Sequence, residues 1–484
     1  MENKYTKATI ISALIWKFME RGGSQGIQFI VQILLARILT PDDFGTIAIV
    51  IVFITISRLF VESGFNVALI QKKDADDIDF SSVFYLSLLF SLLMYGVIYL
   101  VSPFIAGFYG DTELIMVLRI LSTTLFFGGL NSVQNSFIVK NMLFRKLFMS
   151  SLLAIIISGI TGVVAALLGL GVWALVLQQL VNQMILTLIL WFTIKWRPRL
   201  IFSISRLKSL FSFGWRVLVT KLINTLYMNM ITLIIGKIYT PDILGYYNRG
   251  EQVPRVVVEN IDGSLQTVLF PKFSSEQDNN TRLKAIVRRS IVTSSFMVFP
   301  MMIGMAAVAE PLIKVILTDK WLPSVPFLQI VCLSYAFTPI QSANLQAINA
   351  LGRSDITLRL EIVKKVLGLF ILIVSIPHGI YAMVIGIAIT VVLASFINAY
   401  PNKRLLNYSY REQCLDIMPS LCISLIMGVV VYFLNFLKID LGILLMLQLA
   451  VGVGVYTILS KVFKIESLNY LVDIFKELIN QKSK

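Results

Sequence analysis

Histidine occurs once in 484 residues, cysteine three times, and charged side chains make up only 14% of the chain. The lone His378 has no ligand partner near it, and Cys332, Cys414 and Cys422 all fall within apolar stretches, so neither a metal site nor a disulfide framework is readable. Acidic residues are scarcer than basic ones, 27 against 42, for a net charge of +15. That excess does not point to nucleic acid, because no aromatic-basic cluster accompanies it and most of it sits in short loops between apolar runs. What is abundant is apolar surface: at 57% hydrophobic residues, the chain holds more than a soluble core of this length needs. It reads as an all-α integral membrane protein.

A spanning helix takes about 20 apolar residues, and uncharged windows of that size recur at Phe80 to Gly110, Ile120 to Val139, Ile291 to Ala309, Ile417 to Leu437 and Leu441 to Ser460. Two longer windows each hold a helix hairpin, Leu147 to Ile194 broken at Gly169-Leu170-Gly171 and Val366 to Asn402 broken at Pro377-His378-Gly379. With charge-bearing segments near 10–38, 44–70, 210–236, 250–273 and 325–350, the expected total is fourteen spans. The first apolar stretch carries Lys17, Glu20 and Arg21 and no small-residue cleavage pattern, so it is expected to stay as the first helix. Lys and Arg cluster on alternate loops, as at Lys72-Lys73, Arg145-Lys146, Arg288-Arg289, Lys364-Lys365 and Lys403-Arg404, which places both termini in the cytoplasm. Residues 465–484 alternate charge with Leu and Ile at helical spacing and read as an amphipathic surface segment.

The sequence repeats itself. Ile38-x-Thr40-Pro41-Asp42-x-x-Gly45 returns 200 residues on as Ile238-x-Thr240-Pro241-Asp242-x-x-Gly245, and the same offset sets Glu62 on Asp262, Leu69 on Leu269 and Lys72 on Lys272. At an offset of 210, Ser132 meets Ser342. A repeated helix plus turn is the mark of a duplicated transporter bundle. The expected organisation is a six-helix bundle over 1–200, a second over 201–405, two further helices over 406–464 and the tail over 465–484, with the bundles facing a shared cavity.

Charges inside spans are costly and persist where they face protein or water. Lys17 and Arg21 in helix one, Arg58 in helix two, Arg119 in helix four, Arg216 in helix seven and Arg255 in helix eight are therefore candidate cavity residues. Arg58 and Glu62 stand four apart and are able to pair; Arg255, Glu259 and Asp262 form one stripe. Guanidinium groups suit a bidentate anion such as phosphate. Glu20, Glu62, Glu259 and Asp262 are the candidates for a coupling cation.

The segments Leu35-Ala36-Arg37 through Phe44-Gly45, Ala68 to Lys73, Phe144-Arg145-Lys146, Leu244 to Arg249, Leu269 to Lys272 and Gln346 to Asp355 resemble the polysaccharide transporter family of the MOP superfamily, the Wzx-like flippases, and within it the colanic-acid and teichuronic-acid exporter branch. The resemblance implies a bacterial inner-membrane protein, not an enzyme and without a cofactor. Such a protein moves a polyprenyl-diphosphate-linked oligosaccharide outward for lipopolysaccharide, capsule or exopolysaccharide synthesis. It implies a proton or sodium gradient as driver, with membrane lipids, a polysaccharide polymerase and glycosyltransferases as partners. Members often carry Asp in helix seven shortly before the glycine matching Gly236. Here that region reads Met230-Ile231-Thr232-Leu233, so the coupling-ion residue stays open. Two other readings compete: a MATE-type small-molecule exporter, which shares the bundle plan, and a membrane glycosyltransferase, since Asp74-Ala75-Asp76 and Asp77-Ile78-Asp79 have the Asp-x-Asp form.

Overall fold

The computed structural model describes residues 12, 16–17, 19–62, 64–72 and 74–468, and among them there is no strand. The expected surface segment over 465–484 lies outside the described residues from 469 onward. The chain divides into two units, residues 1–245 and 246–484.

The first unit holds α1 (Ser24–Ile38), α2 (Pro41–Glu62), α3 (Phe65–Gln71), α4 (Asp77–Tyr109), α5 (Glu113–Leu121), α6 (Thr124–Lys140), α7 (Phe144–Leu167), α8 (Val172–Thr193) and α9 (Ile204–Ile238). Helix α10 (Pro241–Ser275) starts in it and leads into the second unit, which contains α11 (Asn280–Ala307), α12 (Ala309–Ile316), α13 (Val325–Ala336), α14 (Thr338–Ala350), α15 (Ser354–Ser375), α16 (Ile380–Ala399), α17 (Tyr410–Phe433) and α18 (Leu441–Val462). Both expected hairpins turn where the glycines stand: Gly171 at φ 55° precedes α8 and Gly379 at φ 93° precedes α16. Among the described residues, eleven helical segments are long and apolar enough to cross a membrane. Helices α1, α10 and α15 fall outside that set, yet α15 exposes Leu358, Ile362, Val366, Phe370 and Ile373 along one face, each more than half accessible.

Helix starts are set by caps. At α4, the Asp76 carboxylate accepts from the Asp79 N–H at 3.0 Å and Asp79 accepts from the Asp76 N–H at 3.2 Å, closing a capping box. Ser409 and Glu412 do the same for α17. The repeated turn is another such start. Asp43 accepts from the Thr40 N–H at 2.8 Å and from its hydroxyl at 2.7 Å, and Pro41 takes the first helical position, where no N–H is needed.

The glycine of that turn answers a contact, not a bend. A Cβ on Gly45 would lie 1.7 Å from the Pro241 carbonyl oxygen, and one on Gly245 would lie 2.0 Å from that of Pro41, so the two copies of the turn meet reciprocally, backbone on backbone. At the other end of α2 the close approach recurs: a Cβ on Gly64 would lie 1.8 Å from the Gly214 carbonyl oxygen on α9. Between these points α2 buries Ile47, Ile49, Val50, Val52, Ile54 and Val61. Outward faces are apolar, as with Leu89, Leu93, Leu100 and Phe104 of α4, which suits contact with lipid. Helices inside are joined by polar pairs such as Asn131 to Thr187 at 2.8 Å and Asn402 to Asn344 at 2.7 Å.

Gly45→Ala and Gly64→Ala should each destabilise the purified protein by about 1–3 kcal/mol, because a methyl group has only opposing main chain to displace. Gly96→Ala is the control, since nothing lies within 4 Å of its added carbon. Thermal unfolding in detergent checks this; equal melting temperatures for all three would show that the close approach is not needed.

Candidate functional site

Built outward from the membrane charges, the first unit contributes five basic positions with different fates. Lys17 forms an ion pair with Glu20 at 2.7 Å beside the five-residue π-helix Met19–Gly23. The side chain of Arg21 lies outside the described residues. Arg58 and Glu62 are both half-buried on α2, but the spacing does not produce the contact it permits: among the described residues neither takes part in an ion pair. A half-buried guanidinium is thus presented without a carboxylate.

Arg119 is engaged within its own unit. Its guanidinium stacks 4.0 Å above the Tyr99 ring, Nε donates to Ser102 Oγ at 3.0 Å, and a terminal nitrogen donates to the Tyr99 carbonyl at 3.4 Å. These bonds tie α5 to α4. Arg216 is exposed on α9, 5.9 Å from the Trp215 ring.

In the second unit Arg255 lies 3.7 Å from Glu251, one turn earlier on α10, and Glu251 also accepts from the Tyr335 hydroxyl at 3.2 Å. Glu259 is exposed. Asp262 is different. One carboxylate oxygen accepts from Gln266 Nε2 at 2.6 Å and Ser342 Oγ at 2.9 Å, Gln346 Nε2 donates in turn to Gln266 Oε1 at 3.1 Å, and the second carboxylate oxygen is buried with no hydrogen-bond partner among the described residues. A cavity of about 10 Å³ adjoins it, lined also by Ser294, Leu269 and Pro339. That is room for one water or one small cation.

The first unit carries the same design. Asn66 Nδ2 donates to Ser132 Oγ at 2.8 Å, Ser132 returns a bond to Asn66 Oδ1 at 3.0 Å, and Ser87 Oγ stands 3.2 Å away. By the repeat offsets, Glu62, Asn66 and Ser132 are the counterparts of Asp262, Gln266 and Ser342. Residue-type reasoning passed over Ser342, Gln266 and Gln346 as members of a site; the match of Ser132 to Ser342 was the signal that finds them.

The Asp-x-Asp carboxylates are held in other work. Asp79 is fully buried with Lys72 Nζ at 2.6 Å, Asp77 meets Arg199 at 3.0 Å and Asp76 meets Arg206 at 3.4 Å. The Asp79 N–H foremost, with Arg206 and Lys72 behind it, holds the Asp76 carboxyl below the usual carboxylate range. They form the cap and ion cluster at the start of α4.

A family model described as "Polysaccharide biosynthesis protein" matches residues 34–326. The chain is 25% identical over 332 residues to the teichuronic acid biosynthesis protein TuaB of Bacillus subtilis, covering 68% of this chain and 69% of that protein. To the lipopolysaccharide biosynthesis protein WzxC of Escherichia coli it is 24% identical over 419 residues, 84% and 85% of the two chains. The lipid II flippase MurJ, in an inward closed conformation, shares the fold with a TM-score of 0.75 at 17% identity, over 94% of this chain and 98% of that one.

Removing Asp79 as Asp79→Ala leaves Lys72 without its partner and should cost about 3–5 kcal/mol, as broken buried pairs do. Asp74→Ala, at an exposed position, should leave stability unchanged. Thermal unfolding of the two variants checks the assignment; tolerance of Asp79→Ala would return these carboxylates to the pool of functional candidates.

Proposed function

The chain belongs to the polysaccharide biosynthesis protein family, and from that premise we propose that it translocates a polyprenyl-diphosphate-linked oligosaccharide across the bacterial inner membrane by ion-coupled alternating access. In this reading α1, α10 and α15 also cross the membrane, giving fourteen spans, both termini are cytoplasmic, and the two repeats over 1–200 and 201–405 are followed by two appended helices. The biosynthetic roles in the names of the relatives support the choice of cargo. The observation that carries it is Arg58: a half-buried guanidinium in a spanning helix, with no ion pair among the described residues, supplies what a diphosphate or an acidic sugar needs. Arg255 occupies the second unit with a long, weak pairing to Glu251 that an anionic ligand can replace. Lys17, Arg21, Arg119 and Arg216 complete the proposed basic path.

Among Glu20, Glu62, Glu259 and Asp262, the coupling residue is best supported at Asp262. Its free buried oxygen and the adjoining space offer a proton or a sodium ion a ready position, with Ser342 and Gln266 fixing the carboxylate.

Arg58→Ala should slow flipping about tenfold or more, the loss of one charged hydrogen bond of about 1.5–3 kcal/mol. Lipid-linked precursor should accumulate while surface polysaccharide falls. Normal export with no precursor accumulation would remove Arg58 from the path. For Asp262→Asn, translocation in proteoliposomes should lose its response to an imposed proton or sodium gradient while carrier binding persists. An unchanged gradient response would place coupling elsewhere.

A further inference from the structure

Three polar side chains of the second unit converge at positions where the first unit is neutral. Glu251 and Arg255 stand one turn apart on α10, and Tyr335 reaches them from α13. At the repeat offset of 200, Glu251 and Arg255 fall on Ile51 and Thr55. At 210, the offset that also sets Leu328 on Leu118 and Ile330 on Ile120, Tyr335 falls on Leu125, which is fully buried. The duplicated frame is therefore built without a carboxylate, a guanidinium or a phenol at these places. Carrying all three into a membrane-spanning bundle costs desolvation, and the first copy shows that folding does not require it.

One oxygen serves both partners of the acid. The Tyr335 hydroxyl donates to Glu251 Oε1 at 3.2 Å, and Arg255 Nη1 lies 3.7 Å from that same oxygen, beyond hydrogen-bonding distance. A guanidinium committed to a carboxylate sits closer, as Arg288 does on Asp416 with bonds of 2.7 and 2.9 Å. The side chain of Arg255 is also 43% exposed. It is a cation kept beside an acid that does not grip it.

An anion arriving at Arg255 meets two costs, parting the guanidinium from Glu251 and leaving that carboxylate without a partner. The Tyr335 bond lowers both. It occupies the oxygen that Arg255 would otherwise draw in, and it stays with Glu251 after Arg255 has turned to the ligand, so no acceptor is left unsatisfied.

We propose that Tyr335 is a positioning residue for the anionic cargo: by holding Glu251 it keeps Arg255 exchangeable, so that a diphosphate takes the guanidinium on arrival and Glu251 recovers it on release. This rests on the translocation reading, in which Arg255 belongs to the basic path, and adds the residue that sets how firmly Arg255 binds there.

The test uses the full-length protein in detergent with farnesyl diphosphate as the probe, binding being followed by isothermal titration calorimetry. Tyr335→Phe removes a single oxygen and should weaken binding about fivefold. Glu251→Gln leaves Arg255 without a competing charge and should tighten binding by a similar factor. Added to Glu251→Gln, Tyr335→Phe should change little, because the carboxylate through which Tyr335 acts is gone. A phenol that only supports packing would give the same loss in both backgrounds. That result, or unchanged binding in Tyr335→Phe, would overturn the proposal, and if Arg255→Ala then still abolishes binding, Arg255 keeps its place in the path. An Arg255→Ala protein that binds like the parent would instead remove Arg255 from the path and take the proposal with it.

Discussion

At both ends of α2, glycines let opposing main chain lie where any side chain would collide with it. Gly45 and Gly245 set the two copies of the Thr-Pro-Asp turn against each other, and Gly64 rests on Gly214 at the far end. Because no side chain intervenes, helices α2, α9 and the start of α10 sit at a separation that only these residues allow. The positions of Ile49, which lies 3.0 Å from where Gly236 would carry a Cβ, and of Arg58 on α2 follow from it.

The same duplication sets the polar interior. Asn66 with Ser132, and Gln266 with Ser342, are one design written twice, but only the second copy brings its acid into the knot: Asp262 accepts from Ser342, whereas the matching Glu62 makes no ion pair among the described residues. Duplicated scaffolds often keep the frame and diverge in chemistry, since function lives in sites grafted on a fold. Here the frame is the Ser and amide pair between helices, and the divergence is whether a carboxylate joins it.

Much of this architecture was legible in the sequence. Uncharged runs of spanning length and the Gly-Leu-Gly and Pro-His-Gly breaks locate α7, α8, α15 and α16, because in lipid a helix must satisfy its backbone internally and only a turn outside interrupts it. Through-space partners were not legible. Nothing near Arg119 in sequence announces that Tyr99 and Ser102, on the preceding helix, will hold it. The four-residue spacing of Arg58 and Glu62 permits a pair but does not compel one. Asp262 finds Ser342 eighty residues away, and only the internal repeat hinted at that serine. The Asp-x-Asp pattern misleads for the same reason: its meaning depends on Lys72, Arg199 and Arg206, which the fold brings to it.

The two copies of the repeated turn part company at the residue after Asp42 and Asp242. In the first, Asp43 reaches back to Thr40 and closes the helix start; in the second, the corresponding residue is Ile243, which has no oxygen to offer. Two matched joints therefore differ: one is pinned by a carboxylate, and in the other the Leu244 N–H reaches the Thr240 carbonyl at 3.3 Å. The start of α10 thus lacks the side-chain clasp that closes the start of α2, and a single carboxylate makes two copies of one joint mechanically unequal.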